Sequence, residues 1–311
     1  MARAERKVVL VTRRTRLQEL AARYQTLAQA RFYLEHLGAD FSDYLREDEA
    51  YARSLETATA ALQRWGRHQV IDRSLLPNFI FGTQDIVVAL GSDGLVANTM
   101  KYLDGQPLIG LNPEPQRWDG LLLPFEAQQL HALLRPVAMG QRGSRPVTMA
   151  QVTLSDGQAL RAVNDLFIGA RTHTSALYEI ECGGLRELQS SSGLIVSTGL
   201  GSTAWLKSML TGSAALARAS GMAGGRDTPY APLPWDTEEL RFAVREPFPS
   251  RASQATLVWG SVRAGEPLLL RSRMPDNGTI FSDGMEADAL VFSAGMEARV
   301  EVARTRGCLV V

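Results

Sequence analysis

Asp93 stands between two glycines at the point where an apolar run stops. In DIVVALGSDGLVANTM (Asp85 to Met100) the segment Asp85 to Leu90 reads as a buried strand. Gly91-Ser92-Asp93-Gly94 then reads as a tight turn, and the residues after it as a helix. A strand, a glycine turn and a helix N-terminus together make an anion site. Glycines let backbone N–H groups face a phosphate, and the helix dipole adds to the attraction. A carboxylate beside phosphate is electrostatically unwelcome unless it has a task. Two tasks fit: accepting a proton from an attacking hydroxyl, or helping to hold Mg²⁺. The plain alternative is a helix cap.

Two further stretches carry polar groups in apolar surroundings. SSGLIVSTGLGSTAWLKS (Ser191 to Ser208) runs from a strand through Gly199-x-Gly201-x-x-Ala204 into a helix. That spacing is formally a dinucleotide fingerprint, but the acidic residue expected about 20 positions on is missing. Lys207 to Ala219 is free of acid and Asp227 is the first candidate. The better reading is a Gly/Ser/Thr turn that offers hydroxyls and N–H groups to a ligand, with Trp205 available for stacking. In AVNDLFIG (Ala162 to Gly169), Asn164 and Asp165 interrupt a strand-like run. The pair would bond sugar hydroxyls or an amide, or simply mark a bulge or turn.

Other chemistries find no support. His36, His68, His131 and His173 are not at metal-ligand spacing, and Cys182 and Cys308 lie outside any Cys-x-x-Cys pattern. Neither a Gly-x-Ser-x-Gly elbow nor a Walker A lysine motif occurs. Lys+Arg and Asp+Glu balance at 33 each, which argues against a nucleic-acid partner and a polybasic membrane anchor. No run of about 18 apolar residues exists, and the apolar run Val8 to Val11 is too short for a signal-peptide core. The expectation is a cytoplasmic protein.

These motifs need elements to position them. KVVLVT, HQVIDR, DIVVAL and QPLIGLNP read as strands, with two or three helices between Thr15 and Arg67. Strands alternating with helices imply an α/β N-terminal domain with a doubly wound parallel sheet, residues 1–140. PFEAQQLHALLRPVAMG (Pro124 to Gly140) reads as a helix. The runs RPVTMAQVTL, ALRAVNDLFIG, SALYEIEC, GLRELQSS and GLIVST, with hairpin turns at SDGQ and CGG, imply a β-rich antiparallel second domain, residues 141–290. A helix from about Gly201 to Ala219 carries small residues on one face, suggesting close packing. Gly221 to Pro234 reads as an irregular loop. Residues 291–311 form a C-terminal segment expected to pack back on the first domain.

In this order the segments resemble the NAD kinase family, which shares a superfamily with the diacylglycerol and sphingosine kinases. GSDGL (Gly91 to Leu95) is similar to the family's Gly-Gly-Asp-Gly-Thr, Asn164-Asp165 to its Asn-Glu/Asp pair, and SGLIVSTGLGSTAW (Ser192 to Trp205) to its Asp-Gly and Gly-Ser-Thr-Ala-Tyr segment. SSGL, TGLGSTAW, LIGLNPEPQRWDGLLLP, VNDLFIGARTHTSALYEI, REPF and FSDGMEAD look like the mitochondrial type of NAD kinase and its bacterial relatives, as does the long helical stretch before the third strand.

The resemblance implies Mg²⁺-dependent phosphoryl transfer from ATP or another donor to the 2′-hydroxyl of the adenosine ribose of NAD, with Asp93 as catalytic carboxylate. It implies that Gly91, Ser92 and Gly94 form the turn beside the phosphate and that Asn164 and Asp165 bind NAD. Ser192, Thr198, Gly201, Ser202, Thr203, Ala204, Trp205 and Ser208 would line a nucleotide pocket. Asn112 and Gly120 would lie in a loop at the same site, and Asp283-Gly284 match a late Asp-Gly turn. Mg²⁺ would come with ATP, no side-chain metal ligand set being implied, and the family implies a homodimer. Two departures fall beside Asp93. Ser92 adds a Cβ where the family glycine would allow positive φ or close approach, and Leu95 removes a hydroxyl. They keep two alternatives in view: a kinase of another hydroxyl acceptor, lipid or small molecule, and a non-catalytic NAD(P)-binding sensor.

Overall fold

The computed structural model describes residues 6–222 and 230–311. Half of the expected loop Gly221 to Pro234, residues 223–229 with Asp227, lies outside the described residues. The chain divides into two compact units, Met1–Arg145 with Cys308–Val311, and Pro146–Gly307.

The first unit alternates strands and helices: β1 (Val8–Thr12), α1 (Arg16–Tyr24), α2 (Leu27–His36), α3 (Phe41–Trp65), β2 (His68–Asp72), β3 (Ile86–Leu90), α4 (Asp93–Met100), β4 (Pro107–Leu111), α5 (Leu130–Ala138) and β5 (Ser144–Val147). The helix starts are written locally. Thr15 and Gln18 form a reciprocal capping box at α1, Thr26 caps α2, and the Asp40 carboxylate accepts from Ser42 N–H at α3. The run expected to be helical from Pro124 starts its α-helix only at Leu130, after a short 3-10 turn. Phe125 instead bridges Leu111, and its carbonyl accepts from Asn112 N–H at 2.7 Å, so that backbone is committed to the sheet edge.

The second unit is β-rich: β6 (Ala150–Leu154), β7 (Ala159–Ala162), β8 (Asp165–Ala170), β9 (Ala176–Cys182), β10 (Leu185–Ser191), β11 (Leu194–Ser197), then α6 (Trp205–Ala219), β12 (Glu239–Val244), β13 (Trp259–Arg263), β14 (Leu268–Ser272), β15 (Gly278–Ser282), β16 (Met285–Val291) and β17 (Glu297–Val302). Two six-stranded sheets result, ordered β10-β9-β14-β17-β6-β7 and β13-β12-β11-β8-β15-β16. Alternate residues face inward, as a half-buried strand requires. Leu166, Ile168, Leu194, Val196 and Phe242 of one sheet share a core with Val152, Tyr178, Ile180, Leu270 and Val300 of the other. The run ALRAVNDLFIG is two strands, because the chain bends at Val163-Asn164 to pass from the first sheet to the second.

The packing expected of the small residues in α6 does not occur among the described residues. Leu206 is its one buried residue, and Thr211 to Leu216 are exposed. Its first turns carry the contact: Leu206 packs with Phe167, Ile195 and Ala243, and Trp205, Met209 and Leu210 lie against them.

The chain ends in β18 (Gly307–Val310), which pairs in parallel with β4 and extends the first unit's sheet to β2-β1-β3-β4-β18-β5. Pairings β1–β2, β1–β3 and β3–β4 are also parallel. Val8, Leu10, Ile86, Val88 and Ile109 pack with Tyr51, Leu62, Leu130 and Leu134 of α3 and α5. The alternate residues Val9, Val11, Val87 and Ala89 are equally buried, so both sheet faces are covered. One glycine of this sheet is there for close approach. A Cβ on Gly110 would lie 2.0 Å from the Leu122 carbonyl oxygen. Gly110→Ala is expected to push the 120–123 segment away and to destabilise the protein by about 1–3 kcal/mol, read as a lower denaturation midpoint in urea.

Candidate functional site

In the first unit the site is built around Asp93. Ser92 is the N-cap residue of α4 but makes no side-chain cap bond, and Asp93 is the first helical residue. The carboxylate does not cap its own helix. It accepts from Leu122 N–H at 2.8 Å and Leu121 N–H at 3.2 Å, both from the loop after β4. That loop is closed on itself: the Asn112 amide donates to the Trp118 carbonyl at 2.9 Å and accepts from Glu114 N–H at 2.9 Å. The side chain of Asn112 is therefore spent on the loop. Gly120, at φ +61°, packs against it.

The two departures from the family pattern have simple structural places. Ser92 has φ −108° and ψ 166°, extended backbone that any residue adopts, so the positive φ that a glycine would allow there is not used. Leu95 is buried at 2% exposure and lies over Gly91, whose Cβ would meet its Cδ2 at 2.9 Å. On the other side of Gly91 stands Arg13, its Nε 3.3 Å from the same point. Gly94 is different: a Cβ there would meet nothing nearer than Ser92 Oγ at 3.7 Å, so no protein atom requires a glycine. In this first turn the Leu95 and Val96 N–H groups both donate to the Ser92 carbonyl, at 2.9 and 3.2 Å, and the N–H groups before them have no i−4 carbonyl to bond.

In the second unit several of the expected site residues gather around the bend between β7 and β8. Asp283 and Gly284 have φ +53° and +70° and form the two-residue turn of the β15–β16 hairpin, closed by the Ser282–Met285 pair. From there the Asp283 carboxylate accepts from the N–H groups of Val163 at 3.0 Å, Asn164 at 2.6 Å and Asp165 at 3.3 Å. Thr198 holds the bend from the other side, donating its N–H to the Asn164 carbonyl at 2.9 Å and its hydroxyl to the Val163 carbonyl at 2.5 Å. Gly201 is forced by close approach: its Cβ would lie 2.1 Å from the Asn164 carbonyl oxygen. Ser202 is buried, with its hydroxyl on the Gly199 carbonyl. Asp283, Thr198 and Gly201 thus build the bend, while Asn164 is half-exposed.

Asp165 occupies a row across three strands, opposite Ser197 on β11, which in turn pairs with Arg241 on β12. It is 7% exposed, and among the described residues its Oδ1 has no hydrogen-bond partner. Burial pushes its pKa up to about 7, with the Asp283 charge adding to the rise and the Ser197 hydroxyl opposing it.

Thr203, Ala204 and Ser208 are exposed at the start of α6, and the Ser208 hydroxyl donates to the Ala204 carbonyl. Trp205 is half-buried and stacks on Phe167 with centroids 5.9 Å apart. Phe167 stacks in turn on Phe281 at 4.8 Å, and the Arg245 guanidinium lies 5.5 Å from the Trp205 ring centre. Trp205, Phe167, Phe281 and Arg245, with exposed Ser192, line a cavity of about 790 Å³ within this unit; Thr203, Ala204 and Ser208 are not in its wall. Sequence reasoning missed Phe167, Phe281 and Arg245 as site residues. In the first unit it missed Arg13 and the Leu121-Leu122 amides. An arginine doublet directly after β1 was a signal; backbone amides leave none.

Asp165 sets a pH signature. A raised folded-state pKa means that the fold favours the protonated acid. Its stabilising contribution is complete below the ordinary value near 3.8 and is lost as pH rises towards 7.

The chain is similar in sequence to proteins named NAD kinase. It is 26% identical over 252 residues to "NAD kinase 2, mitochondrial" of Rattus norvegicus and, over the same length, to that of Homo sapiens. Those matches cover 64% of this chain, which spans 59% and 57% of the two relatives. It is 33% identical over 130 residues to "NAD kinase" of Methylococcus capsulatus, covering 39% of this chain and 43% of that one. In fold it is similar to an NAD kinase from Archaeoglobus fulgidus solved in complex with ATP, with a TM-score of 0.55 at 15% identity, over 98% of this chain and 93% of the other. No family model matches the chain.

Calorimetry in steps from about pH 4 to pH 7 tests the Asp165 signature against Asp165→Asn. Wild type is expected to lose up to about 4 kcal/mol relative to the variant as pH rises; parallel profiles would contradict it.

Proposed function

We infer, from a chain whose relatives and fold support the NAD kinase family, that it transfers a phosphoryl group from ATP to the 2′-hydroxyl of the adenosine ribose of NAD. The observation that carries this is the Asp93 carboxylate, fixed at the first turn of α4 by two amides from another loop, beside a glycine that no protein atom requires. Space at Gly94 and N–H groups at the helix start suit an incoming phosphate. The 2′-oxygen attacks the γ-phosphorus, the bond to the ADP oxygen breaks, and the hydroxyl proton passes to Asp93.

Among the described residues no cluster of three or more His, Cys, Asp or Glu forms a metal cage. Mg²⁺ keeps several waters and binds chiefly through the substrate phosphates with one or two carboxylates. Mg²⁺ would come with ATP, and when bound it would neutralise charge on the phosphoryl oxygens. In the second unit, Asn164 and Asp165 would bond NAD's ribose and amide groups. A carboxyl group with a pKa of about 7 both donates and accepts near neutrality. Trp205 offers a ring face to the nucleotide and Ser192 a hydroxyl at the cavity wall.

Ser92 and Leu95 give the sensor reading little support, since one is in ordinary extended backbone and the other serves the core. Among the described residues no helix is long and apolar enough to cross a membrane. The cytoplasmic location and the homodimer belong to the same proposal.

The test is NADP⁺ formation from NAD⁺, ATP and Mg²⁺. Wild type is expected to form NADP⁺, and Asp93→Asn to lose about 10²–10⁴-fold in kcat. No NADP⁺ from wild type, with ATP or with polyphosphate as donor, would overturn the assignment.

A further inference from the structure

Helix α3 carries Asp43, Glu47 and Tyr51 at i, i+4 and i+8, one stripe on one face. Each of the three reaches towards a different loop of the first unit. The Tyr51 hydroxyl accepts from Arg13 N–H at 2.9 Å and donates to the Leu90 carbonyl at 3.3 Å, the last residue of β3 before the Asp93 turn. Glu47, 4% exposed, pairs with Arg13 at 3.0 Å and with Arg16. Asp43 pairs with Arg16 at 2.9 Å and with Arg117 at 2.8 Å, and Arg117 belongs to the loop that runs on to Leu121 and Leu122.

The loops after β1, β3 and β4 are thus tied to one rigid helix. Two of those ties end on the groups that locate Asp93. Arg13 stands against Gly91, and the Arg117 loop supplies the two amides on the carboxylate. Loops of this kind are ordinarily the least stable parts of a fold, while phosphoryl transfer depends on a fixed approach geometry. Single exposed ion pairs hold little. This set is anchored on a buried carboxylate and shares Arg16 between two acids, so its members support one another. Burial pulls Glu47 upward, but Arg16 and Arg13 outweigh it and leave it below its ordinary range. Arg16 and Arg117 hold Asp43 down at about 2.

We propose that the Asp43–Glu47–Tyr51 stripe is a positioning device: it fixes the three loops so that Asp93 is held ready, and touches no substrate itself. This rests on the kinase reading above, and it assigns to α3 a role in catalysis beyond that of covering the sheet.

The test uses full-length Asp43→Asn beside Asp43→Glu, with Tyr51→Phe as a milder second variant. Two quantities are read: kinetics of NADP⁺ formation, and amide hydrogen exchange at Leu121 and Leu122. Asp43→Asn is expected to lower kcat by about ten- to a hundredfold while the KM for NAD changes by less than about twofold. Exchange at the two amides should quicken by about tenfold, with Asp43→Glu recovering part of both effects. Tyr51→Phe should move both in the same direction by less. Unchanged exchange at Leu121 and Leu122 in both Asp43→Asn and Tyr51→Phe would overturn the proposal. So would faster exchange with an unchanged kcat. A wild type that makes no NADP⁺ would sink the kinase reading instead, and the exchange data would still decide whether the stripe fixes the loop.

Discussion

The two hydrogen bonds from Leu121 and Leu122 to the Asp93 carboxylate are the constraint on which the first unit's site depends. They join the turn after β3 to the loop after β4, and much of the surrounding structure serves to keep that loop where it is. Gly110 lets the Leu122 backbone lie against β4. Asn112 closes the loop at its start, and Arg117 ties its middle to α3. Parallel strands place the ends of β1, β3 and β4 along one edge, which is where open α/β sheets meet their ligands. A carboxylate placed this way is set by backbone amides, whose positions change less readily than side chains.

The second unit solves a comparable problem with different parts. A strand cannot pass from one sheet to another without leaving its ladder, and the bend at Val163-Asn164 would leave N–H groups without partners. The Asp283 carboxylate, projecting from a left-handed hairpin turn, takes three of them. The bend then delivers Asp165 into the row with Ser197 and Arg241. The dinucleotide reading set aside in the sequence finds no structural support here either. The glycines of the apparent dinucleotide fingerprint serve close backbone contact, Gly201 with Asn164 and Gly199 with Pro234.

Strands, most helices and the order of the two units were legible in the sequence, because hydrophobic period, capping residues and turn chemistry are local. The Gly-Ser-Asp-Gly turn was legible for the same reason. What was not legible depends on partners far apart in the chain. Asp93 meets Leu122 across 29 residues, Arg117 meets Asp43 across 74, and Asp283 meets Val163 across 120. The helix-cap reading of Asp93 gave way only when its acceptor role towards another loop was seen. The conformational concern at Ser92 came from treating a family glycine as a sign of positive φ, which the backbone there does not use. In α6 the small residues suggested close packing, but the large residues of the first turns make the contact and the helix then leaves the sheet.

Charge alone does not distinguish a carboxylate held in place from one that is merely present. The most direct measurement is therefore kcat for NADP⁺ formation by Asp93→Glu. It keeps the charge and lengthens the side chain by one methylene, carrying the oxygens off the Leu121 and Leu122 amides. If position is what matters, kcat falls by about 10²–10⁴-fold, as for a lost base. A glutamate variant within about tenfold of wild type would contradict the claim that the two-amide clamp makes Asp93 catalytic.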